Sequence, residues 1–166
     1  MVNTTDGMIF VTTGTQFPFE RLVNAIDNWA LDKDSIDIYA QTGPGGGIPK
    51  HIKGSEMLTP ERYESLISKA SVLIAHAGIG SIITAIENNI PAILMPRRFD
   101  LNEHRNDHQI ATAKKFRGYR GLYIVESETE LVECLDSIES LEKPNSVGSK
   151  ASPELLRFIS EFIALS

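Results

Sequence analysis

Short apolar segments alternate along the chain with longer segments in which apolar residues recur every three or four positions. The short segments have the length of strands that are buried on both faces of a sheet. In the longer ones the apolar residues share one helical face, as Phe19, Leu22 and Ile26 do. The alternation predicts crossovers between parallel strands, and so an α/β fold with a doubly wound parallel sheet. The predicted strands are residues 8–13, 36–40, 71–76, 91–95 and 122–125.

Polar residues mark where two of the predicted helices begin. Thr59 followed by Pro60 provides an N-cap hydroxyl and then a residue whose missing N–H costs nothing at that position. Ser127 and Glu130 have the spacing of a capping box. Helices are therefore predicted to begin near residues 60 and 128. Two others are predicted to begin near residues 80 and 106.

Two segments have the composition of loops. Residues 42–49 contain four glycines and two prolines, which exclude a helix or a strand and predict a mobile loop. Residues 143–152 separate a last helix from the rest of the chain. We therefore predict an α/β domain at residues 1–142. Residues 143–166 would form a strap and a C-terminal helix that packs on this domain or on a partner.

The composition excludes several classes of protein. The 166 residues suit one domain, and the net charge of −6 argues against binding to nucleic acid, whose phosphates need an excess of Lys and Arg. Cys134 is the single cysteine, so no disulfide forms within the chain and a reducing compartment is favoured. No apolar run approaches the ~20 residues that span a bilayer, and the N-terminus lacks the features of a signal peptide. We expect a cytoplasmic protein.

Two loops that follow predicted strands have sequences suited to binding an anion. In both, Thr13-Gly14-Thr15-Gln16 and His76-Ala77-Gly78-Ile79-Gly80-Ser81, glycine removes the Cβ atoms that would hold a phosphate away from the backbone. Helix N-termini add free N–H groups, and His76 and Ser81 add side-chain donors. The first loop is equally consistent with a turn of purely geometric origin. In the second, His76 could instead end a strand while the glycines permit tight packing.

The segment from Arg97 to Arg120 contains seven Lys or Arg and three acidic residues, although the rest of the chain is acidic. A basic segment beside two anion-binding loops suits a diphosphate. Within it, Asp107, His108 and Gln109 could bond the hydroxyls of a sugar. Two other interpretations compete. His104 and His108 have the spacing of a metal pair, but too few further ligands exist, and charged helix starts commonly face water.

Taken in order, these motifs resemble the C-terminal, donor-binding half of GT-B glycosyltransferases of family 28. The resemblance covers about residues 8–125 and lies in VTTGTQF at 11–17, AHAG at 75–78 and EHRNDHQ at 103–109. Within the family, the chain is similar to small bacterial polysaccharide glycosyltransferases and to the catalytic subunit of the eukaryotic dolichol-linked N-acetylglucosaminyltransferase. The implied fold is one Rossmann-like half of a GT-B enzyme.

The resemblance implies a UDP-sugar donor bound without a metal or other cofactor. The motifs and the resemblance together assign no catalytic residue; they assign donor binding to Gly14, Thr15, Gln16, His76, Gly78, Gly80, Ser81, Arg98, Glu103, His104, Asn106, Asp107, His108 and Gln109. The chain departs from the family at Thr84, where many relatives have a glutamate that holds the ribose. Glu87 lies one helical turn further on.

A GT-B enzyme has two such halves, and this chain has one. We therefore hypothesise a donor-binding subunit of an inverting hexosyltransferase, held at the inner membrane face by a membrane-bound partner that binds a lipid-linked acceptor in cell-surface polysaccharide synthesis. A non-catalytic, regulatory subunit that binds a nucleotide sugar is the alternative. An epimerase fragment of similar fold is a third hypothesis, disfavoured because one half lacks a second catalytic wall.

Overall fold

A computed structural model describes residues 7–144 and 153–164 of the chain. Six parallel strands form one sheet in the spatial order β3-β2-β1-β4-β5-β6. In chain order they are β1 Met8–Thr12, β2 Ile38–Gln41, β3 Lys53–Ser55, β4 Ala70–His76, β5 Ala92–Met95 and β6 Leu122–Ile124. The α-helices are α1 Glu20–Trp29, α2 Pro60–Lys69, α3 Ile79–Glu87, α4 His108–Phe116, α5 Glu128–Asp136 and α6 Pro153–Ala164. The predicted doubly wound α/β fold is confirmed.

The sequence analysis does not predict β3, and it predicts β2 at residues 36–40, whereas the strand lies at Ile38–Gln41. Lys53-Gly54-Ser55 lies at the edge of the sheet, pairs with β2 alone and has no buried apolar side chain. Hydrophobicity therefore carries no signal for it. Strand β2 extends to Gln41, a polar residue that is 2 % exposed. Its Oε1 accepts a hydrogen bond from the Thr12 hydroxyl at 2.9 Å, which offsets the cost of burying the amide.

Alternate side chains of the central strands enter two separate cores, one on each face of the sheet. Ile9 and Val11 pack with α1 and α5, and Phe10 packs with α2 and α3 on the other face. Leu155 of α6 is 2 % exposed and joins the second core. The side chains of Phe162 and Ile163 in α6 lie outside the described residues, as do residues 145–152. The division at residue 142 stays a prediction.

The predicted helix starts agree with the structure in most cases. The Thr59 hydroxyl accepts from the N–H of Arg62, and the Ser127 hydroxyl accepts from the N–H of Glu130. Helix α4 begins two residues later than predicted, at His108, whose N–H donates to the side chain of Asn106. Among the described helices, none is both long enough and apolar enough to cross a bilayer.

Residues 42–49 form a loop, as predicted. The Glu56 carboxylate accepts hydrogen bonds from the N–H groups of Gly45 and Gly47, each at 3.3 Å. The Thr42 hydroxyl donates to the carbonyl of Gly47 at 2.6 Å. These contacts tether the loop to the strand edge, and its mobility stays a prediction.

Asp27 in α1 holds the backbone of the three residues that precede β3. Its carboxylate is 7 % exposed and accepts from three consecutive N–H groups, those of Lys50, His51 and Ile52, at 3.0, 2.8 and 3.1 Å. Asp27→Asn replaces one acceptor oxygen by a donor, which leaves a buried N–H unpaired. We expect it to lower the free energy of unfolding by about 2 kcal/mol. Urea denaturation measures this loss, and Asp34→Asn, at an exposed position, is the control; equal stability of the two variants would contradict the assignment.

Candidate functional site

A cavity of about 620 Å³ opens at the carboxyl edge of the sheet between β1 and β4. The strand order reverses between these two neighbours, with Thr12 beside Ala75, so the loops after them diverge and leave a crevice. Ligands of open α/β sheets bind at this position. We call it the switch-point cavity; its wall consists of Thr12, Thr13, Gly14, Thr15, Gln16, Phe17, Gln41, Leu58, Pro60, Tyr63, Glu64, His76, Gly78, Ile79, Gly80, Ser81, Thr84, Arg97, His104 and Gln109.

The structure brings most of the predicted donor-binding residues together in this wall. They come from three segments that are far apart in sequence, and they are Gly14, Thr15, Gln16, His76, Gly78, Gly80, Ser81, His104 and Gln109. The other predicted residues lie outside the wall, in the loop between β5 and α4 or, for His108, at the start of α4, and they are Arg98, Glu103, Asn106, Asp107 and His108.

These other residues contact the protein itself. Glu103 forms a two-pronged ion pair with Arg21 of α1, at 2.6 and 2.9 Å, and also accepts from the N–H of Arg98. Asp107 accepts from the N–H of Phe99 at 3.0 Å. The carboxylates of Glu103 and Asp107 and the amide of Asn106 therefore form hydrogen bonds within the protein, and these bonds shape the loop. Their donor-binding role stays a prediction.

His76 ends β4 with its imidazole between two glycines. A Cβ on Gly14 would lie 3.0 Å from Cε1 of the ring, and one on Gly78 would lie 2.4 Å from Nε2. Gly14 also has a φ of +81°, which disfavours any residue with a side chain. Glycine is therefore required at both positions for a structural reason, because it makes room for the imidazole, in addition to any role in letting a phosphate approach the backbone.

The imidazole of His76 resists protonation. Its Nδ1 is buried without a hydrogen-bond partner of good geometry among the described residues. Burial lowers the pKa of His76 to about 4, the positive charges of Arg97 and His104 act in the same direction, and the backbone of Thr12 opposes them. His76 is therefore neutral at pH 7, with one ring nitrogen able to donate and the other to accept.

The N-terminus of α3 faces the cavity. Gly78 is its N-cap and offers no side chain to the first turn, so the leading N–H groups of the helix have no capping partner. Ser81, 6 % exposed, lies in the same turn. Across the cavity the N–H of Gly14 donates to the Thr12 hydroxyl at 3.2 Å. The open N–H groups and the helix dipole make this end of the cavity suited to an anion.

Part of the cavity wall is apolar and was not predicted from the sequence. Leu58, Pro60 and Ile79 line it, together with Tyr63, whose ring packs edge-on against Phe10 at 5.4 Å. Burial raises the pKa of Tyr63, and a hydrogen bond with Thr84 opposes the shift. Hydrophobic residues of this kind also form ordinary cores, so sequence alone cannot assign them to a ligand.

Glu64 of α2 supplies the one carboxylate among the residues of the cavity wall. Thr84 lines the wall too, but its hydroxyl donates to the carbonyl of Gly80. Glu87 does not reach the wall. Among the described residues, no cluster of three or more His, Cys, Asp or Glu could hold a metal ion.

Arg97, which sequence reasoning passed over in favour of Arg98, is buried in the wall. It is 2 % exposed, and its guanidinium lies 4.8 Å from the ring centroid of Phe19. Its backbone N–H donates to Oε1 of Gln109 at 3.1 Å. Neighbouring residues in extended backbone point to opposite sides, so one arginine of the pair enters the protein and the other faces outward. Sequence does not reveal which.

Two kinds of comparison with known proteins gave matches. The family model "Glycosyltransferase family 28 C-terminal domain" matches residues 8–161. The NMR solution structure of ALG13 is 19 % identical, with a TM-score of 0.63, over 96 % of this chain and 98 % of that one. The comparison with curated proteins gave no significant match.

Two larger structures share the fold. The glycotransferase of kitacinnamycin is 13 % identical, with a TM-score of 0.58; the match covers 98 % of this chain and 40 % of that one. Os79 from O. sativa, solved in complex with UDP, is 15 % identical, with a TM-score of 0.57; the match covers 95 % of this chain and 35 % of that one. The chain therefore spans well under half the length of these two proteins.

Proposed function

Because this chain belongs to the glycosyltransferase family 28 C-terminal domain family, we propose that it binds a UDP-sugar in the switch-point cavity and forms the donor-binding part of an inverting hexosyltransferase. The observation that carries the proposal is the convergence of Gly14, His76, Gly78 and the N-terminus of α3 at one end of a single cavity. These groups suit a diphosphate, which is the part shared by all such donors.

The cavity wall offers different groups to the different parts of a nucleotide sugar. The apolar wall of Leu58, Pro60 and Tyr63 would pack against the nucleobase, and Glu64 would accept hydrogen bonds from the ribose hydroxyls in place of the family glutamate that is Thr84 here. Gln109, whose amide oxygen is bonded to Arg97, would turn its NH₂ group to the sugar. Uridine fits the match to Os79, whose structure contains UDP.

In the proposed reaction the chain stabilises the leaving group. As the bond between sugar and diphosphate breaks, negative charge grows on the departing UDP. Aligned N–H groups of α3 and the positive field of Arg97 would favour that charge more in the transition state than in the bound donor. The base that removes the acceptor proton is not among the residues we assign.

We further propose that a membrane-bound partner subunit supplies the acceptor site and binds a lipid-linked acceptor at the inner face of the membrane, in polysaccharide synthesis. The described residues form one α/β unit, whereas the matched glycotransferase of kitacinnamycin is more than twice as long. ALG13, matched over nearly its whole length, has a comparable size.

Calorimetric titration of the isolated chain with UDP, GDP, UDP-hexoses and inorganic diphosphate tests the donor assignment. We expect UDP to bind at least tenfold more tightly than GDP or diphosphate, because the base and ribose contacts add to those of the phosphates. Glu64→Gln should lower the affinity for UDP about tenfold and leave the affinity for diphosphate unchanged. Glu87→Gln, outside the wall, is the matched control.

Failure of every nucleotide to bind would contradict the proposed function. Transfer of labelled sugar is then assayed with the chain alone and with membranes that contain a candidate partner. We expect product with the partner membranes only. Tight binding without transfer under any pairing would favour a non-catalytic, regulatory subunit instead.

A further inference from the structure

Arg97 holds both ends of the loop that joins β1 to α1. Nη2 donates to the carbonyl oxygens of Thr13 and Phe17, at 2.6 and 2.7 Å, and Nη1 donates to that of Pro18 at 2.6 Å. Between these anchor points, Gly14, Thr15 and Gln16 line the switch-point cavity. One side chain from the end of β5 therefore sets the course of a loop about 80 residues earlier in the chain.

The terminal nitrogens of Arg97 have no hydrogen-bonding capacity left for a ligand. A fourth bond, from Nη1 to the carbonyl of Glu103 at 3.3 Å, completes the use of their four N–H groups. All four acceptors are neutral backbone oxygens. A contact between either terminal nitrogen and a donor phosphate would require at least one of these bonds to break.

The positive charge of Arg97 is not neutralised by a contacting carboxylate. No ion pair within 4.0 Å involves this guanidinium in the described part of the chain. The carboxylate of Glu103 bonds to Arg21 and to the N–H of Arg98, and it acts on Arg97 through space only. Burial lowers the pKa of Arg97 to about 10, which leaves it charged at pH 7.

We propose that Arg97 is a positioning residue for the donor site: it fixes the arch of residues 14–16 and places a buried positive charge in the cavity wall, without touching the donor. The inference rests on the proposed function. It accounts for a buried cation surrounded by carbonyls in a place where a diphosphate would provide the missing negative charge. Such a charge acts strongly because the surrounding protein screens it less than water does.

The pKa of His76 depends on the charge of Arg97 even when no nucleotide is bound. The charged or titratable groups that face the imidazole are Arg97 and His104, both from the loop after β5, with Tyr63 and Glu64 of α2 across the cavity. The β1–α1 loop and the first turn of α3 contribute none to the wall. Removing the charge of Arg97 should therefore make His76 easier to protonate.

Two substitutions separate the effect of the Arg97 hydrogen bonds from the effect of its positive charge. Arg97→Lys keeps the charge, but three donors on one nitrogen cannot span the four carbonyl oxygens. Arg97→Met keeps much of the length and removes the charge. We expect UDP affinity to fall about tenfold in Arg97→Lys and about 100-fold in Arg97→Met. The pKa of His76, followed by NMR titration of its ring protons, should stay low in Arg97→Lys and rise in Arg97→Met.

The control variant is Arg117→Lys, an exposed arginine paired with Glu126, which should bind UDP as the wild type does. Circular dichroism and the melting temperature establish that each variant folds. In the wild-type chain, the side-chain N–H signals of Arg97 should stay protected from exchange with solvent both with and without UDP. This measurement keeps the inference testable if Arg97→Met does not fold.

The outcomes are distinct. Wild-type affinity in a folded Arg97→Lys, or loss of Arg97 N–H protection when UDP binds, would overturn the inference. So would an unchanged His76 pKa in a folded Arg97→Met. If the wild-type chain binds no nucleotide, the proposed function fails, while the His76 titration still decides whether the charge of Arg97 acts on the cavity.

Discussion

Gly78→Ala is expected to lower UDP affinity about 100-fold, because the added methyl group has no room beside the imidazole of His76. The new Cβ would lie 2.4 Å from Nε2 and 2.8 Å from Cδ2 of the ring, so the ring must move. The backbone needs no change, since Gly78 has a φ of −85°, which alanine adopts readily. The effect should therefore arise from the displaced imidazole, accompanied by a stability loss of about 1–3 kcal/mol from overpacking.

Gly80→Ala is the matched control for this displacement. It lies two residues further along in α3, and a Cβ there meets no atom within 4 Å. Alanine in a helix is favoured over glycine by about 0.5–1 kcal/mol, so this variant should be at least as stable as the wild type. NMR shifts of the His76 ring should change in Gly78→Ala and not in Gly80→Ala. Unchanged ring shifts together with unchanged UDP affinity in Gly78→Ala would refute the steric argument.

Acid should destabilise the ligand-free chain between pH 6.5 and about 4, and His76 should account for a large part of the loss. Its pKa is 6.5 in the absence of perturbation and about 4 in the folded protein. In that interval the unfolded chain binds the proton and the folded chain does not, so protonation favours unfolding as the pH falls. The stabilisation is complete above pH 6.5 and is lost by about pH 4. The loss amounts to roughly 3 kcal/mol.

His76→Asn should remove this part of the pH dependence. Its free energy of unfolding, measured by urea denaturation at a series of pH values, should fall less steeply between pH 6.5 and 4 than that of the wild type. Gly80→Ala, which retains the imidazole, should keep the wild-type slope. Parallel curves for the wild type and His76→Asn would show that the imidazole is not held neutral by the fold. Saturating UDP should raise the pKa of His76, because a diphosphate brings negative charge close to the ring.

The strand-end loops were accessible to sequence reasoning because their chemistry is local. Gly14 lies two residues beyond the end of β1, Gly78 lies two residues beyond the end of β4, and each precedes a helix. In a parallel sheet all such loops meet at one edge, so the pattern of strands and helices already places them near one another. The cavity between them agrees with that expectation.

The loop before α4 was harder to interpret, since its sequence is dense in polar residues with several uses. From the sequence, Glu103 and Asp107 are assigned to donor binding, with a water-exposed helix start as one competing interpretation. In the structure their carboxylates bond to Arg21 and to the N–H of Phe99. Helix α1 provides Arg21 from 82 positions earlier. No local pattern contains such a pairing.

The sequence by itself determined the α/β class, the crossovers, the positions of the glycine loops and the family. These depend on periodicity and on short motifs, which are properties of neighbouring residues. Tertiary structure alone decided that Arg97 rather than Arg98 enters the wall, that His76 lies between Gly14 and Gly78, and that Glu64 faces the cavity. The physical reason is that burial, electrostatic shifts and steric limits depend on atoms brought together by strand order, and strand order is not encoded in the spacing of residues along the chain.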